Sequence, residues 1–461
     1  MEIEIPIESK RLNEPSVLTL RRALRVDSTS KVAFVGAGGK TTAMFRLARE
    51  MAPALVTAST HLAQEQLSLA DQHFVATNLQ ELKQLEDNLD QGVCLVTGVL
   101  RDDGRTIGLS GELMAFLRDL ADRKGLALLI EADGSRQRPL KAPAEHEPRI
   151  PEFVDLVVIV AGLSGIGQPL LDWNVHRAGR FSKVAGLPQG DEVTLNALAK
   201  VLLNEKGGLQ GMPSHAHRKV IINQADTPEL AAAGGRLAKE LLSAYDAVVL
   251  ASLQSTNPAI GEVISVHEKV AGIVLAAGGS ARLGQPKQLL PWKGRTFIQQ
   301  VVETALAAHL EELVVVSGAY GNQVETAIGG FPVRIVNNPD WQLGQSSSVK
   351  AGIKALSRKV GAAIILLVDQ PQVPEQLLQA LISHHSHSMA SILATMVDGR
   401  RGNPVLFDRR TFDDLDALEG DVGGRAIFSK YRVQWLTWLD EGMALDVDTI
   451  VDYQHLLKYE G

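Results

Sequence analysis

Short apolar runs alternate with longer amphipathic segments along the whole chain. The runs are rich in β-branched residues and end in polar or glycine-containing turns, while the segments between them show helical spacing of apolar positions. This alternation is typical of parallel-sheet α/β folds. The strands predicted in the first half are KVAFVG, PALVTAS, VCLVTG, LALLIEAD, DLVVIVAG, KVIINQAD and AVVLAS.

The alternating pattern weakens near residue 252. The segment SLQSTNPAIGEVISVHEK is polar, contains Gly and Pro, and has little periodicity. A new strand, VAGIVLAAGG, follows it, and the later predicted strands are ELVVVSG, VRIVNN, AAIILLVDQ and SILATMVDG. Because 461 residues exceed what one core usually covers, we expect two α/β domains. Their predicted extents are 1–268, with a linker at about 252–268, and 269–461.

Composition, net charge and cysteine count exclude several classes of protein. The chain is 45% hydrophobic and 21% charged, as ordinary globular proteins are. Its net charge of −7 argues against a nucleic-acid partner, and neither a secretory signal nor a membrane-spanning run is evident. The single cysteine, Cys94, excludes internal disulfides and a Cys-based zinc cluster. We therefore expect a cytoplasmic protein with small-molecule substrates and no membrane partner.

The turn after KVAFVG has the composition of a phosphate-binding loop. In GAGGKTT the glycines allow backbone amides to converge on phosphate oxygens, Lys40 adds a positive charge, and Thr41 offers a hydroxyl to Mg²⁺. The spacing is shorter than that of the usual phosphate loop and is similar to the GTNGKTT loop of Mur-type ligases. A glycine-rich helix start with a chance lysine is the alternative. The predicted nucleotide-binding residues are Gly36, Gly38, Gly39, Lys40, Thr41 and Thr42.

Two other strand ends of the first half carry polar residues. LALLIEADGS ends in Glu131 and Asp133, which are placed to hold Mg²⁺, with Asp133 the predicted metal ligand. An ordinary acidic strand end is the alternative. KVIINQAD ends in Asn223-Gln224-Ala225-Asp226, which is similar to the Asn-Lys-x-Asp motif with which GTPases bind guanine, although Gln224 replaces the lysine. A polar strand end explains it equally well. We expect a P-loop-like α/β domain that binds ATP or GTP.

A long polar string, EADGSRQRPLKAPAEHEPRIP, continues from this acidic strand end. Together with VGAGGKTT and the VHR at 175–177, it closely resembles the selenium-dependent hydroxylase accessory family over most of residues 30–255. The resemblance implies a nucleotide-dependent role in maturing a client molybdenum hydroxylase that contains selenium. It also implies that basic residues surround an anionic ligand, and a solvated basic loop is the alternative. These residues are Arg136, Arg138, Lys141, His146 and Arg149.

A second glycine-rich turn, LAAGGSARLGQPKQLL, follows the strand GIVLA. Its small residues let amides pack against a base and a triphosphate, and Arg282 and Lys287 are suited to the phosphates. The stretch strongly resembles the signature LAAGxSxRxGxxK of the MobA-like nucleotidylyltransferases. The nucleotide-contacting residues that this implies are Leu275, Ala276, Ala277, Gly278, Gly279, Ser280 and Pro286.

The same resemblance implies a metal site in a Rossmann-like, three-layer α/β nucleotidyltransferase domain. AAIILLVDQPQV ends in Asp369, where this family holds its catalytic Mg²⁺. By similarity to DIDTPEDY, Asp448 is the implied second ligand and Asp446 the weaker candidate. Ile450 departs from the usual proline of that turn.

Four further stretches resemble the substrate-side motifs of one branch, the molybdenum cofactor cytidylyltransferases. They are VNNPDWQLGQSSSVKAG, GNPVLF, GDVGGR and LDVDTIVDY. In the guanylyl branch an aspartate precedes the signature lysine, so Pro286 favours CTP. The implied substrate-binding residues are Ser346, Ser347, Ser348, Gly402, Pro404 and Asp421.

The implied reaction transfers CMP from CTP to the terminal phosphate of molybdopterin and releases pyrophosphate. Arg282, Lys287 and Asp369 are the expected catalytic residues, with Mg²⁺. Phosphate is already a competent nucleophile, so no general base is required. One alternative is a nucleotidylyltransferase for a sugar- or polyol-phosphate, which the serine and Gly-Asn-Pro motifs disfavour. Another is a non-enzymatic chaperone of a molybdenum hydroxylase, which the intact catalytic set disfavours.

Overall fold

The computed structural model describes residues 18–86, 89, 91–254 and 262–459. The chain divides into two compact units, and the division falls between His267 and Glu268. Each unit has a sheet flanked by helices, which confirms the predicted α/β class.

The strands and helices of the first unit follow the predicted alternation. Its strands are β1 Lys31–Gly36, β2 Ala54–Ala58, β3 Gln72–Val75, β4 Val93–Thr97, β5 Ala127–Glu131, β6 Leu140–Lys141, β7 Leu156–Gly162, β8 Val175–His176, β9 His217–Asn223 and β10 Ala247–Ala251. Its helices are α1 Leu20–Ala23, α2 Lys40–Glu50, α3 Leu79–Leu85, α4 Gly111–Lys124, α5 Ala178–Ala185, α6 Leu195–Leu202 and α7 Pro228–Leu241.

The sheet of the first unit has the order β3-β4-β2-β5-β1-β7-β9-β10, and neighbouring strands are parallel. After β1 the chain builds one side of the sheet, and from β7 onward it builds the other. The turn after β1 therefore lies at the switch point where open α/β sheets bind ligands. Val32, Ala33 and Phe34 of β1 are fully buried, as expected for a strand that helices cover on both faces.

The second unit contains the remaining elements. Its strands are β11 Val263–Ala276, which begins before the division, β12 Pro291–Trp292, β13 Arg295–Thr296, β14 Glu312–Ser317, β15 Arg334–Asn337, β16 Val360–Leu367, β17 Ile392–Val397, β18 Arg400–Asp408 and β19 Val433–Trp438. Its helices are α8 Phe297–Ala307, α9 Gly321–Ile328, α10 Gln345–Ala355, α11 Glu375–Ser388, α12 Phe412–Asp416 and α13 Ile450–Leu456. Across the part of the chain that is described, no helix combines the length and apolarity needed to cross a bilayer.

The second unit has three layers. Its sheet has the order β15-β14-β11-β16-β18-β17-β19, with β11, β14, β15 and β16 parallel and β18 antiparallel to β16. Alternate residues of β11 enter two different cores, because strand side chains point to opposite faces. Val274 and Ala276 pack with α8 and α11, whereas Ile273 and Leu275 pack with α10 and α12. The predicted three-layer arrangement is confirmed.

Strand β18 was not predicted because GNPVLF contains a proline, which usually avoids central strands. The register between β17 and β18 shifts between Ala394 and Met396, so Pro404 lies at a bulge, where fewer ladder hydrogen bonds are needed. The Thr395 hydroxyl donates to the Pro404 carbonyl at 2.7 Å and fixes this irregularity.

The expected linker differs from the structure in its second half. Residues 263–268 belong to β11, and residues 255–261 lie outside the described part of the chain. Val263, Ser265 and Val266 are buried. Polar residues alternate with apolar ones in this stretch, so the sequence analysis did not recognise it as the start of a strand.

Candidate functional site

A cavity of ≈ 440 Å³ lies at the carboxyl edge of the second unit's sheet. The turn after β11, the end of β16 and the start of α10 form its walls, which is where parallel strands present ligand-binding loops. The lining residues are Leu275, Ala277, Gly278, Gly279, Lys287, Gln288, Trp341, Gln342, Leu343, Gly344, Gln345, Ser348, Leu367, Val368, Asp369 and Asp421. Much of the predicted nucleotide loop thus shares one cavity with Lys287, Asp369 and two predicted substrate-binding residues.

The glycine turn after β11 is held by a buried glutamine that the sequence analysis did not identify. The Gln288 amide donates to the carbonyls of Ala276 and Gly278 at 2.9 and 2.8 Å. A Cβ at Gly279 would lie 2.9 Å from the Trp341 ring, so glycine lets the indole pack against the turn. The available signal was a glutamine between the signature lysine and the apolar pair Leu289-Leu290.

Three predicted catalytic and metal-binding residues meet at one ammonium group. Lys287 Nζ lies 2.9 Å from Asp369 Oδ2 and 2.9 Å from Asp448 Oδ1. Arg282 reaches the other oxygen of Asp448 at 2.9 Å. Burial acts to lower the pKa of Lys287, but the two aspartates outweigh it and raise that pKa. The hydrogen bond from Lys287 lowers the pKa of Asp448. Lys287 and Asp448 are therefore both charged at neutral pH.

A divalent cation fits at Asp369, and at Asp448 only once nucleotide phosphates draw Lys287 and Arg282 away from that carboxylate. Asp369 Oδ1 is buried and has no hydrogen-bond partner among the described residues, so its lone pairs are free for a metal. No ready-made cluster of three or more metal-ligating side chains exists in the described part of the chain. Phosphate oxygens of a nucleotide would have to complete the coordination, as is usual for Mg²⁺.

Asp446, the weaker metal candidate, lies close to the same group. It accepts a hydrogen bond from the Gln370 amide at 2.6 Å. Burial, followed by the charge of Asp369, raises the pKa of Asp446. This carboxyl is therefore harder to ionise than Asp448.

The predicted substrate-binding residues fall into three groups. Ser348 and Asp421 line the cavity, and Asp421 also accepts the backbone amide of Gln345 at 3.1 Å. Ser346 and Ser347 donate to the carbonyls of Gly420 and Gly344 and so shape the start of α10. Gly402 and Pro404 lie on β18 and are not among the residues that line the cavity.

In the first unit, close backbone packing requires glycine in the turn after β1. Gly36, Gly38 and Gly39 have φ of 95°, 79° and 107°, which favour glycine. A Cβ at Gly38 would lie 2.3 Å from the Gly162 amide nitrogen. The Gly36 amide donates to Asp133 and the Gly38 amide to the Arg138 carbonyl. These amides are already used, so the amides at the start of α2 are the ones left for an anion.

Lys40 is buried among carboxylates rather than exposed on the loop. It is 3% exposed, and its Nζ lies 2.8 Å from Asp133 Oδ1 and 3.3 Å from Glu131 Oε1. Burial acts to lower the pKa of Lys40, but Asp133 and Glu131 outweigh it and raise that pKa. The Thr41 hydroxyl donates to Glu131 at 3.0 Å. An arriving phosphate would compete with these carboxylates for Lys40.

Asp133 does not fit its predicted role as a metal ligand. One oxygen accepts from Lys40, the other accepts from Lys141 at 2.6 Å, and both lie within reach of the Gly36 amide. A carboxylate with two buried ammonium partners has little capacity for a cation. Glu131, beside the Thr41 hydroxyl, is the better placed carboxylate.

The basic string after Asp133 is partly neutralised inside the protein. Lys141 Nζ also lies 2.8 Å from Glu147, and Arg177 binds both oxygens of Glu147 at 2.7 and 2.8 Å. Arg138 keeps a buried Nε without a hydrogen-bond partner among the described residues. The predicted anion environment therefore reduces mainly to Arg138, with Arg136, His146 and Arg149 exposed at the surface.

We expect this Glu147 pairing to make the first unit acid-sensitive. Burial acts to raise the pKa of Glu147, but the hydrogen bonds from Arg177 and Lys141 outweigh it and lower the pKa from 4.5 to about 2. Because the folded-state pKa is depressed, the stabilisation is complete above the unfolded value and is lost as pH falls from 4.5 towards 2. Denaturant titrations across this range should show a steeper loss for the native chain than for Glu147→Gln. Glu145→Gln, at an exposed neighbour, should behave like the native chain.

His61 and Thr60 lie at the same edge of the sheet, and the sequence analysis did not single them out. The His61 ring would lie 3.4 Å from a Cβ at Gly134, so it borders the same edge of the sheet. Burial, followed by the charge of Arg105, lowers the pKa of His61 and keeps it neutral at pH 7. The Thr60 hydroxyl is buried without a partner among the described residues. The polar stretch STH directly after PALVTA was the available signal.

Comparison with known families decides what these two units are. The model of the MobA-like NTP transferase domain matches residues 272–435, and the model of the YqeC protein matches residues 32–179. Each model matches about a third of the chain, one in each unit. The chain joins a YqeC domain to a MobA-like NTP transferase domain, and the predicted fusion is confirmed.

Curated relatives cover each domain separately. The nicotine blue oxidoreductase of Paenarthrobacter nicotinovorans is 34% identical over 41% of this chain and 96% of its own length. The YqeC protein of Escherichia coli is 29% identical over 54% of this chain and 97% of its own length. The molybdenum cofactor cytidylyltransferase of E. coli is 35% identical over 18% of this chain and 44% of its own length. The MobA-like domain is a nucleotidyltransferase domain. The names of its relatives refer to different reactions, an oxidoreduction and a cytidylyl transfer.

Proposed function

We propose that the MobA-like domain transfers CMP from CTP to molybdopterin, and that the YqeC domain is a nucleotide-binding accessory in maturing a molybdenum hydroxylase. The observation that carries the first part is the meeting of Arg282, Lys287, Asp369 and Asp448 beside the signature turn. The cavity next to them is large enough for a nucleotide at ≈ 440 Å³.

The charged residues suit transfer between phosphates. Lys287 and Arg282 would bind the triphosphate and offset the charge that grows as pyrophosphate leaves. Mg²⁺ on Asp369 and Asp448 would add Lewis-acid stabilisation of the same charge. The turn after β11 and the Trp341 ring would exclude water on one side of the nucleotide. Because the acceptor is itself a phosphate, positioning and electrostatics are sufficient.

The proposed reaction is tested with the purified chain, Mg²⁺, molybdopterin and either CTP or GTP. Pyrophosphate release that needs molybdopterin and is faster with CTP is the expected result. Release with sugar- or polyol-phosphates instead of molybdopterin would favour the alternative transferase. No release with any acceptor, from a folded chain that still binds a molybdenum hydroxylase, would favour the chaperone.

We expect Pro286→Asp to move nucleotide preference from CTP towards GTP. Pro286 directly precedes Lys287, whose amide donates to the Ser280 hydroxyl at 3.1 Å, so this residue lies beside the nucleotide turn. One residue rebuilds only part of a base pocket, so a change of about tenfold in the kcat/KM ratio is expected. Pro286→Ala is the control and should leave the ratio near that of the native chain. A native chain that already prefers GTP would contradict the assignment of Pro286.

We propose that residues 268–461 form an independent domain. This segment has its own sheet and the two cores on either face of it. We expect the segment alone to be soluble and to unfold in one cooperative transition in denaturant. An aggregated product, or a gradual transition, would show that the boundary is misplaced.

In the YqeC domain we propose that the start of α2 binds the phosphates of ATP or GTP. The Gly39 carbonyl already accepts the first helical hydrogen bond, from Ala43, while the amides of the first turn point outward. The Thr41 hydroxyl and Glu131 stand beside this anion position and can hold Mg²⁺.

A further inference from the structure

Asn223, at the end of β9, ties the glycine turn of the YqeC domain to the end of β10. This side chain is 2% exposed. Its amide nitrogen donates to the Gly38 carbonyl at 2.7 Å, and its oxygen accepts the Leu253 amide at 3.0 Å. Because both groups of the Asn223 amide hydrogen-bond to the backbone, this side chain positions the surrounding chain. The end of β10 is therefore fixed relative to the phosphate-binding turn.

Asp226, three residues after Asn223, is exposed but oriented. The buried Ser252 hydroxyl donates to its Oδ1, and the Ala225 amide donates to the Ala251 carbonyl at 3.1 Å. A hydroxyl on one carboxylate oxygen restricts rotation of the side chain and leaves acceptor capacity on both oxygens. Asp226 is thus an oriented pair of acceptors at the rim of the sheet edge.

Asp226 and the proposed phosphate position lie at the same edge of the sheet. Strand β9 is two strands away from β1, and neighbouring strands lie about 4.8 Å apart, so the two strands are about 10 Å apart. Asp226 follows the end of β9 by three residues, and α2 starts four residues after the end of β1. A nucleotide along this edge would have its phosphates at the start of α2 and its base towards Asp226.

Gln224 covers the surface between these two positions. Its φ is 62°, a conformation that costs energy for a residue other than glycine. Its Oε1 accepts from the Ser164 hydroxyl at 2.7 Å. A Cβ at Gly162 would lie 2.0 Å from the same oxygen, so the glutamine lies directly across the end of β7. The strained backbone places this side chain between the turn and Asp226.

We propose that Asp226 makes the YqeC domain selective for guanine nucleotides. This rests on the proposed phosphate site at the start of α2. Guanine presents two adjacent donors, N1–H and the 2-amino group, which match the two acceptor oxygens of a carboxylate. Adenine presents the N1 acceptor in that position, so its lone pair would oppose the carboxylate and leave it unpaired. Guanine nucleotides should therefore bind about 100-fold more tightly than adenine nucleotides.

The test is calorimetry on the full chain carrying Arg282→Ala and Lys287→Ala, which weaken the nucleotide site of the MobA-like domain. GTP, ATP and xanthosine triphosphate are titrated with Mg²⁺. In xanthine a carbonyl replaces the 2-amino group, so an asparagine, with one acceptor and one donor, matches it. Asp226→Asn should weaken GTP binding about 10- to 100-fold and strengthen binding of xanthosine triphosphate. Asp119→Asn, at an exposed position on α4, is the control and should change neither affinity.

The outcomes separate the two levels of the proposal. A gain of xanthosine triphosphate binding by Asp226→Asn supports the guanine assignment and cannot result from unfolding. ATP binding equal to or tighter than GTP binding, or an unchanged base preference in Asp226→Asn, overturns the guanine assignment and leaves the phosphate site standing. Binding of no nucleotide by the folded chain overturns both.

Discussion

Asp369→Ala should reduce pyrophosphate release by the intact chain by at least about 10³-fold while leaving the fold in place. The side chain follows β16, has a buried oxygen with no hydrogen-bond partner within the described ranges, and pairs with Lys287 at 2.9 Å. Its loss removes the oxygen proposed to bind Mg²⁺ and one of the two carboxylates that position Lys287. Steady-state pyrophosphate release with CTP and molybdopterin measures the effect.

The conservative change Asp369→Asn keeps the shape of the side chain and removes its charge, so it should be nearly as inactive. Asp413→Ala, at an exposed position on α12, is the matched control and should retain native activity. Circular dichroism and the denaturation midpoint check that both site variants are folded. Pyrophosphate release by Asp369→Ala within a few fold of the native rate would remove Asp369 from the site.

Lys40→Ala should destabilise the YqeC domain by about 3–5 kcal/mol, because it leaves buried carboxylates without their cation. The side chain is 3% exposed, and burial raises the pKa of Glu131 even with Lys40 present. Without Lys40, Glu131 should take up a proton at higher pH, so the loss of stability should shrink as the solution is acidified. Urea titrations at several pH values, followed by a probe in the YqeC domain, measure this.

The double variant Lys40→Met with Glu131→Gln removes both charges and should recover part of the lost stability. Thr41→Ala is the cleaner probe of nucleotide binding, because it removes a hydroxyl rather than a buried charge. It should reduce the Mg²⁺ dependence of binding without a comparable loss of stability. A Lys40→Ala chain as stable as the native one would show that Lys40 is not held by these carboxylates in solution.

Periodicity located most of the buried strands, but it missed the edge strand β3 and the central strand β18. KVAFVG and LALLIEAD became β1 and β5, because strands covered on both faces need continuous apolar sequence. The short strand β3 at one edge, Gln72–Val75, exposes three of its four residues, so its sequence carries little apolar signal. Strand β18 was not predicted because it contains Pro404. A bulge accommodates this proline, and no local sequence pattern predicts the bulge.

The site was predictable where one motif carried the chemistry and not where the direction of each side chain decides which charges pair. The signature turn, Lys287 and Asp369 were identified from the sequence, and the structure brings them to one cavity. Lys141, Asp133 and Glu147 lie within one polar string, but its sequence does not show that Lys141 pairs with both carboxylates. Spacing placed Asp133 at the correct strand end, but it could not show that lysines already occupy the carboxylate.

Because the chain has a single cysteine, a fluorescent dye can be attached at a chosen position. Cys94 lies buried within β4, and burial raises the pKa of its thiol to about 11, so little reactive thiolate exists at neutral pH. A cysteine introduced at the protein surface would then be the group that a maleimide dye modifies. One dye near α2 and, in a second sample, one near α10 would report nucleotide arrival at each domain of the intact chain separately.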